Sequence, residues 1–235
     1  MKLLLATTNP GKVLEYREIL KDLAIEIISL RDLKLENFQV EEDGKTFEEN
    51  AIKKSKYFCK LTNLPTLADD GGLEIDALGG EPGVKSRRWP GYEASDEELI
   101  KMTLEKLQGL PREKRGARLR CSIAISFPGE EKVHPVRDRK DKGKAQSKQI
   151  SNGVHLFEGI LRGFIMEKPI GIIPGFPFRS LFYLPKIGKV LGELSMEEEA
   201  KIAHRKRAME KAMPLLKEKL SRQGGIPQNA GKIQK

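Results

Sequence analysis

The chain has 235 residues, of which 38% are hydrophobic and 33% charged, and its formal net charge is +9. This length suffices for one large domain or two small ones, and the composition is that of a globular protein rather than a disordered chain. No run approaches about 18 apolar residues, which argues against a membrane-spanning helix, and two cysteines are too few for a disulfide framework. Because the first residues also lack the pattern of a signal peptide, we expect a cytoplasmic protein.

The apolar pattern predicts alternating strands and helices. Asn9 supplies an N-cap, Pro10 suits the first position of a helix, and the glycine pair at 71–72 predicts a turn. The predicted elements are a strand at 2–6, a helix from 10, a helix from 46, strands at 64–68 and 73–78, a helix from 95, strands at 118–127, 154–165 and 181–184, and one long helix from 195. Without an internal repeat or a linker, this alternation predicts one α/β domain over residues 1–220.

Positive charge is concentrated in residues 111–150 and 201–235. Residues 128–150 lack apolar periodicity and predict an exposed basic loop, and the polar residues 221–235 predict a disordered tail. An excess of Lys and Arg favours a polyanionic partner, either a nucleic acid or the phosphates of a nucleotide. The alternative is that these charges serve only solubility.

The first candidate site is the turn between the first strand and the first helix. A helix N-terminus presents unpaired N–H groups and the positive end of the helix dipole, both of which attract phosphate oxygens. Thr7, Thr8 and Asn9 add polar groups there, and Lys12 lies one turn into the helix, within reach of a bound anion. The alternative interpretation is that Asn9 only caps the helix.

The second candidate site is acidic. Glu41, Glu42 and Asp43 precede the helix at Thr46, and the pair Asp69-Asp70 follows an apolar strand. Carboxylates at strand ends are common ligands of Mg²⁺, and strand ends are where open α/β sheets bind ligands. The alternative is a solvated loop and a turn.

A third signal is the pair His204-Arg205 near the start of the C-terminal helix. A histidine and an arginine together can hydrogen-bond to a purine ring or stack on it. In a helix as basic as this one, the alternative is two exposed side chains.

Four ordered motifs resemble those of the inosine triphosphate pyrophosphatase family, the Ham1-like hydrolases of non-standard purine nucleotides. The family's T-x-N-x-x-K turn corresponds to residues 7–12, its E-x-G-x-T/S-F-x-E-N-A block to 42–51, its L-A-D-D-S-G-L string to 67–73 and its G-G-x-P-G-x-x-S-x-R segment to 79–88. The resemblance covers residues 2–127 and again about 158–215.

The resemblance implies a fold and a reaction. The fold would be a long, twisted mixed sheet with flanking helices and two lobes around a central cleft, in a homodimer. The reaction would be Mg²⁺-dependent hydrolysis of ITP, dITP and XTP to the monophosphate and pyrophosphate. Purine nucleoside triphosphates are then the expected partners, no membrane is expected, and a nucleic acid is the less favoured partner. Glu42 and Asp70 would bind the metal, and Asp70 would also be the catalytic base. The substrate-binding residues would be Thr7, Thr8, Asn9, Pro10, Gly11, Lys12, Lys54, Gly71, Phe176, Pro177, Phe178, Arg179, Glu199, His204 and Arg205.

The second half of the chain departs from the family pattern in the segments assigned to the base. The family's G-F-G-Y-D-P-x-F appears as residues 175–182, where Arg179 replaces an Asp and Pro177 removes a backbone donor. Glu199 replaces a Lys, a second reversal of charge. We hypothesise that the two reversals compensate, so that Arg179 pairs with Glu199.

These departures leave two alternatives to an active pyrophosphatase. One is a nucleotide-binding relative whose catalysis or base preference is lost or altered. The other, less favoured, is a protein that binds nucleic acid through its basic segments, because Lys and Arg on an exposed loop contact phosphate backbones. The loop lacks interleaved aromatic residues, so base stacking is not supported.

Overall fold

The structure, a computed structural model, describes residues 1–130, 148–150 and 153–223. Most of the predicted basic loop at 128–150 and the part of the predicted tail beyond residue 223 lie outside the described residues. At the C-terminal end of that predicted loop, Lys148–Ile150 forms a strand instead. No helix in the described part of the chain is long and apolar enough to cross a membrane.

One mixed sheet with helices packed on it forms the fold, which confirms the predicted α/β class. The strands are β1 (Lys2–Leu5), β2 (Glu26–Ser29), β3 (Thr66–Ile75), β4 (Gly116–Ser126), β5 (Lys148–Ile150), β6 (Val154–Ile165), β7 (Phe182–Leu184) and β8 (Lys189–Val190). The helices are α1 (Pro10–Leu20), α2 (Phe47–Thr62), α3 (Asp96–Lys106), α4 (Met196–Ile202) and α5 (His204–Gln223).

The strand order is β2-β1-β3-β4-β6-β7-β8, and β5 pairs with β6. β1 runs parallel to both β2 and β3, whereas all the later pairings are antiparallel. Two large hydrophobic clusters meet along β4. Ala117 and Leu119 belong to the cluster around α3 and β7, and Ile123 and Ile125 belong to the cluster around α1 and α5. The candidate site lies where β3 passes from one cluster to the other.

The turn predicted at Gly71-Gly72 is wrong, because β3 continues through both glycines and pairs with β4 along its whole length. Instead, the absence of a side chain at each glycine lets neighbouring segments pack directly against the backbone of β3. A Cβ atom on Gly71 would lie 2.5 Å from the carbonyl oxygen of Arg120, and one on Gly72 would lie 2.1 Å from Ser86 Oγ. Asp69 and Asp70 are therefore residues in mid-strand rather than residues of a turn.

The single long C-terminal helix predicted from residue 195 is also wrong, because Ala203 adopts an extended conformation (φ −54°, ψ 149°) between α4 and α5. The two helices differ in their main partners: α4 packs on α1, whereas α5 packs chiefly on β4 and β6. At the break, His204 lies so close to Gly159 of β6 that a Cβ atom there would be 1.8 Å from the His204 carbonyl oxygen. The tertiary contacts thus set the break, since no Pro or Gly precedes His204.

Candidate active site

The N-terminus of α1 is built as predicted. The Asn9 side-chain oxygen accepts hydrogen bonds from the backbone N–H groups of Gly11 (2.9 Å) and Lys12 (3.3 Å), and Thr7 Oγ1 accepts from Asn9 N (3.2 Å). Asn9 is therefore a helix cap. Its side chain pairs the N–H groups of Gly11 and Lys12, and its carbonyl oxygen pairs that of Val13, so the positive end of the helix dipole is what α1 offers an anion here. Thr8 and Pro10 are exposed in the same turn.

The side chain of Lys12 connects this turn to Asp69 through an ion pair. Lys12 Nζ lies 3.0 Å from Asp69 Oδ1, and Arg205 Nε donates to Asp69 Oδ2 at 2.8 Å. Asp69 is fully buried, and burial alone would raise the pKa of its carboxyl group. The positive charges of Lys12, Arg205 and Lys54 reverse this effect and hold that pKa well below its usual value. Asp69 is thus ionised at neutral pH and holds the side chains of Lys12 and Arg205 in place.

Lys54 connects the two acidic stretches of the sequence. Its ammonium group donates to the Asp69 carbonyl oxygen at 2.8 Å and lies 3.1 Å from Glu42 Oε1. Burial lowers the pKa of Lys54, but Asp70, Glu42 and Asp69 outweigh burial and raise it. A charged lysine at this point indicates a site that carries several carboxylates in a confined space.

Asp70, the next residue of β3, is oriented by two hydrogen bonds. Asn50 Nδ2 donates to Asp70 Oδ2 at 2.9 Å, and Gly71 N donates to Asp70 Oδ1 at 2.9 Å. Burial raises the pKa of Asp70, and Lys54, Lys12 and the Asn50 hydrogen bond only partly oppose that shift. A carboxylate that is oriented by two donors and more basic than usual is suited to accept a proton.

Glu42 and Asp70 are the side chains here that could hold a metal ion. Glu42 Oε1 lies 3.1 Å from the Lys54 ammonium, and the charges of both Lys54 and Glu42 act on the pKa of Asp70. No group of three or more His, Cys, Asp or Glu side chains suited to a metal occurs among the residues that the structure describes. Two carboxylates fit Mg²⁺, which keeps several waters and takes further oxygens from bound phosphates.

A cavity of about 330 Å³ extends from the α1 turn toward residues 175–179. Ten of the predicted substrate-binding residues line it: Asn9, Lys12, Gly71, Phe176, Pro177, Phe178, Arg179, Glu199, His204 and Arg205. The other predicted residues, namely Thr7, Thr8, Pro10, Gly11 and Lys54, are not part of its lining, although Gly11 lies under Phe176. The cavity is large enough for a small ligand and joins a charged end to an aromatic end.

The hypothesis that Arg179 pairs with Glu199 is confirmed. Arg179 Nη2 donates to Glu199 Oε2, and both side chains are largely buried. The Arg179 guanidinium also lies over the Phe176 ring, with Cζ 5.1 Å from the ring centroid. The two reversed charges therefore form a new ion pair in the wall of the cavity.

A charge-swap cycle tests this pair. Arg179→Asp should place two carboxylates together and Glu199→Lys two cations, so each single variant should lower the free energy of unfolding. The double variant restores opposite charges and should recover about 0.5–3 kcal/mol of that loss. Urea unfolding of the four proteins measures this coupling. Strictly additive losses would show that the pair contributes no interaction energy.

His204 and Arg205 are both buried, so the interpretation of two exposed side chains is wrong. Arg205 of α5 reaches α1 and β3, where it donates to Glu15 Oε2 (2.9 Å) and to Asp69 Oδ2 (2.8 Å). Burial, reinforced by the charge of Arg205, holds the pKa of His204 well below its usual value, so its imidazole is neutral. A buried arginine is tolerated here because two carboxylates from distant parts of the chain surround it.

Several residues of the site were not assigned from the sequence. Glu15 binds Arg205, and its one sequence signal is a charged residue beside the core residue Tyr16 on the buried side of α1. Asp96 joins two walls of the cavity, because it accepts from Gly175 N (2.7 Å) and from Arg87. Nothing in the local sequence indicates that contact, since the partners come from separate segments.

An open α/β sheet with a capped helix N-terminus, two partly buried lysines and a carboxylate cluster beside one cavity is the arrangement expected of a class of proteins that bind phosphorylated ligands. The sequence model of the Ham1 family matches residues 3–215, and the chain belongs to that family. This result confirms the resemblance drawn from the motifs.

Individual relatives agree with this assignment. The chain is 38% identical over 213 residues to a dITP/XTP pyrophosphatase of Bacillus subtilis, covering 91% of this chain and 96% of the relative. It is 40% identical over 224 residues to the protein of that name from Geobacter sulfurreducens, covering 95% and 98%. The solved Ham1 protein of Staphylococcus aureus superposes with a TM-score of 0.72 at 33% identity, covering 93% of this chain and 100% of that one.

Proposed function

We propose that this protein hydrolyses the non-standard purine nucleoside triphosphates ITP, dITP and XTP to the monophosphate and pyrophosphate, with Mg²⁺ as cofactor. The relatives named dITP/XTP pyrophosphatases support this activity. The single observation that carries the proposal is that Lys12, which pairs with Asp69, and Lys54, which is bound to the Asp69 carbonyl oxygen, both act on the Asp70 carboxyl group beside the α1 N-terminus. That cluster combines cations for a triphosphate with a carboxylate of raised pKa.

Each group in the cluster has a chemical role in such a reaction. Lys12, together with the positive end of the α1 dipole, holds phosphate oxygens, and Lys54 offsets the charge that builds up during transfer. Asp70 orients a water molecule and takes its proton as the oxygen attacks the α-phosphorus. The bond between that phosphorus and the α,β-bridging oxygen breaks, and pyrophosphate leaves with the bonding electrons. Mg²⁺ held by Glu42 and Asp70 would neutralise phosphate charge.

The cavity provides a place for the base. Its apolar and aromatic lining, including Phe176, Phe178 and Leu119, is suited to a purine ring. We also propose a homodimer in the cytoplasm, as the family resemblance implies. Light scattering tests the dimer: the expected result is twice the mass of the chain.

Pyrophosphate release from ITP, dITP, XTP, GTP and ATP tests the activity, with EDTA in place of Mg²⁺ as the control. We expect turnover of the first three substrates with Mg²⁺, weak turnover of GTP and ATP, and none with EDTA. Release from none of the five would contradict the proposal. Binding of ITP without hydrolysis would favour the alternative, a nucleotide-binding relative that has lost catalysis.

A further inference from the structure

The side chain of Asn50 contacts both acidic stretches of the site. Its Oδ1 accepts from Gly44 N at 2.8 Å, and its Nδ2 donates to Asp70 Oδ2 at 2.9 Å. Gly44 lies two residues after Glu42. Asn50 is buried, with 1% of its surface exposed. One carboxamide therefore joins the backbone of the first stretch to the carboxylate of the second.

The chemistry of the two partners fixes the orientation of this carboxamide. A backbone N–H can only donate, so the Asn50 oxygen must face Gly44 and the amide nitrogen must face Asp70. That nitrogen offers hydrogens and no lone pair, so the Asp70 oxygen that it meets is an acceptor. An ionised carboxylate has about four acceptor positions, and the hydrogen bonds from Asn50 and Gly71 occupy two of them. Asp70 is thus oriented and still able to bind an ion or a water molecule.

Asn50 is carried by a rigid element, the capped start of α2. Its backbone N–H donates to the Thr46 carbonyl oxygen at 3.3 Å, and the Thr46 hydroxyl accepts from Glu49 N. Glu49 in turn accepts from Lys45 N at 2.6 Å, next to the contact between Asn50 and Gly44. The packing there is tight, because a Cβ atom on Gly44 would lie 2.5 Å from Asn50 Oδ1. The segment before α2 is therefore attached to the helix by two neighbouring side chains.

Two other contacts hold Glu42. Arg88 Nη2 donates to the Glu42 carbonyl oxygen at 3.1 Å, and Lys54 Nζ lies 3.1 Å from Glu42 Oε1. Asn50 adds a chain of hydrogen bonds that continues to the Asp70 carboxylate. We propose that Asn50 is a positioning residue that sets the separation of the Glu42 and Asp70 carboxylates, so that the two stretches bind one divalent ion as a unit. This inference rests on the proposed function and names the residue that couples the two metal ligands.

Asn50→Ala tests the assignment, because it removes both hydrogen bonds and leaves every proposed ligand in place. Mn²⁺ titrated into the protein and followed by electron paramagnetic resonance should bind about tenfold more weakly, as expected when a residue that orients a metal ligand is lost. The Mg²⁺ concentration that gives half-maximal turnover of dITP should rise by a similar factor. A dissociation constant for Mn²⁺ within twofold of the wild-type value would overturn the assignment.

Ser55→Ala is the matched control, since it removes another buried polar group from α2. Ser55 is fully buried and accepts from Ser126 Oγ at 3.0 Å, and it belongs to neither acidic stretch. Urea unfolding should show a lower free energy of unfolding, because Ser126 loses its acceptor, while the affinity for Mn²⁺ stays at the wild-type value. Equal weakening of Mn²⁺ binding by Ser55→Ala and Asn50→Ala would show that the stability of α2, rather than the Asn50 link, supports the ion, and would overturn the assignment.

Gly44→Ala disturbs the same link from its other end and leaves Asn50 itself unchanged. The added methyl group must displace the Asn50 carboxamide or the backbone of the acidic stretch, so Mn²⁺ binding should weaken here as well. Because Gly44 lies in a loop before α2, this variant carries the test if Asn50→Ala does not fold. Wild-type affinity in Gly44→Ala would then overturn the assignment.

Mn²⁺ binding needs no hydrolysis, so the inference and the proposed function can fail separately. If wild-type protein turns over dITP but both variants bind Mn²⁺ as it does, the inference is wrong and the proposed function stands. If wild-type protein hydrolyses no triphosphate, the proposed function fails, yet weaker Mn²⁺ binding in the two variants would still support the role of Asn50. Wild-type protein that binds no Mn²⁺ would overturn that role.

Discussion

Replacing Asp70 with asparagine is expected to lower kcat for dITP by about a thousandfold, within the range attributed to a general base. Asparagine keeps the shape of the side chain and can still accept from Gly71 N, but it cannot take a proton and is a poor ligand for Mg²⁺. Thermal unfolding should change little, since burial already disfavours the charge of Asp70. Initial rates of pyrophosphate release measure the effect.

Asp43→Asn is the control for this prediction. Asp43 lies in the same acidic stretch as Glu42 but is exposed and pairs with Lys53 at the surface. Because an exposed ion pair contributes little, this variant should keep its rate and its stability. A comparable loss of rate in the two variants would show that overall negative charge, rather than the Asp70 carboxylate, supports turnover.

Asp69→Asn is expected to have the largest effect on stability. The change removes the charge that pairs with Arg205 and Lys12 in a fully buried setting. It leaves Lys12 without its carboxylate partner and Arg205 with Glu15 alone. Breaking a buried pair in this way costs about 3–5 kcal/mol. Urea unfolding at pH 7 measures the loss, and turnover should fall with it because Lys12 is no longer anchored.

The pH dependence of this loss follows from the depressed pKa of Asp69. The stabilisation from its carboxylate is complete above the pKa of the unfolded chain, about 4, and is lost as the pH falls toward the lower pKa of the folded protein. The gap between wild-type protein and Asp69→Asn should therefore be constant from pH 7 to 5 and shrink below pH 4. A gap that stays constant in acid would contradict the assignment.

Asp32→Asn is the matched control for Asp69→Asn. The pKa of Asp32 is also lowered, through hydrogen bonds from Ser29, but its side chain is half exposed. We expect a loss below about 1 kcal/mol. Equal losses at the two positions would mean that burial of Asp69 contributes nothing.

Local features of the site could be predicted from the sequence. The cap at Asn9 and the serine caps of α3 and α4 depend on residues within one turn, so their patterns are sufficient. The Arg179–Glu199 pair was predictable for a different reason. Two charges reversed against one family pattern indicate that the positions face each other, and the structure places them in contact.

Features that depend on distant segments were not predictable. Gly71 and Gly72 carry a local turn signal, yet their role is set by Arg120 and Ser86 from other segments. His204 and Arg205 suggest an exposed basic helix, and only the carboxylates brought by α1 and β3 make their burial possible. In each case the residue that determines the local structure is remote in sequence, so periodicity and composition cannot predict the contact.

Metal binding tests the central claim most directly, namely that two separated acidic stretches hold one divalent ion. Mn²⁺ titrated into the protein and followed by electron paramagnetic resonance gives an affinity without any turnover. Glu42→Gln and Asp70→Asn should each weaken Mn²⁺ binding by about tenfold or more, as expected when one of two carboxylate ligands is lost. Glu41→Gln, which changes an exposed neighbour, should bind as wild-type protein does. Weaker binding in only one of the two ligand variants would contradict a shared ion.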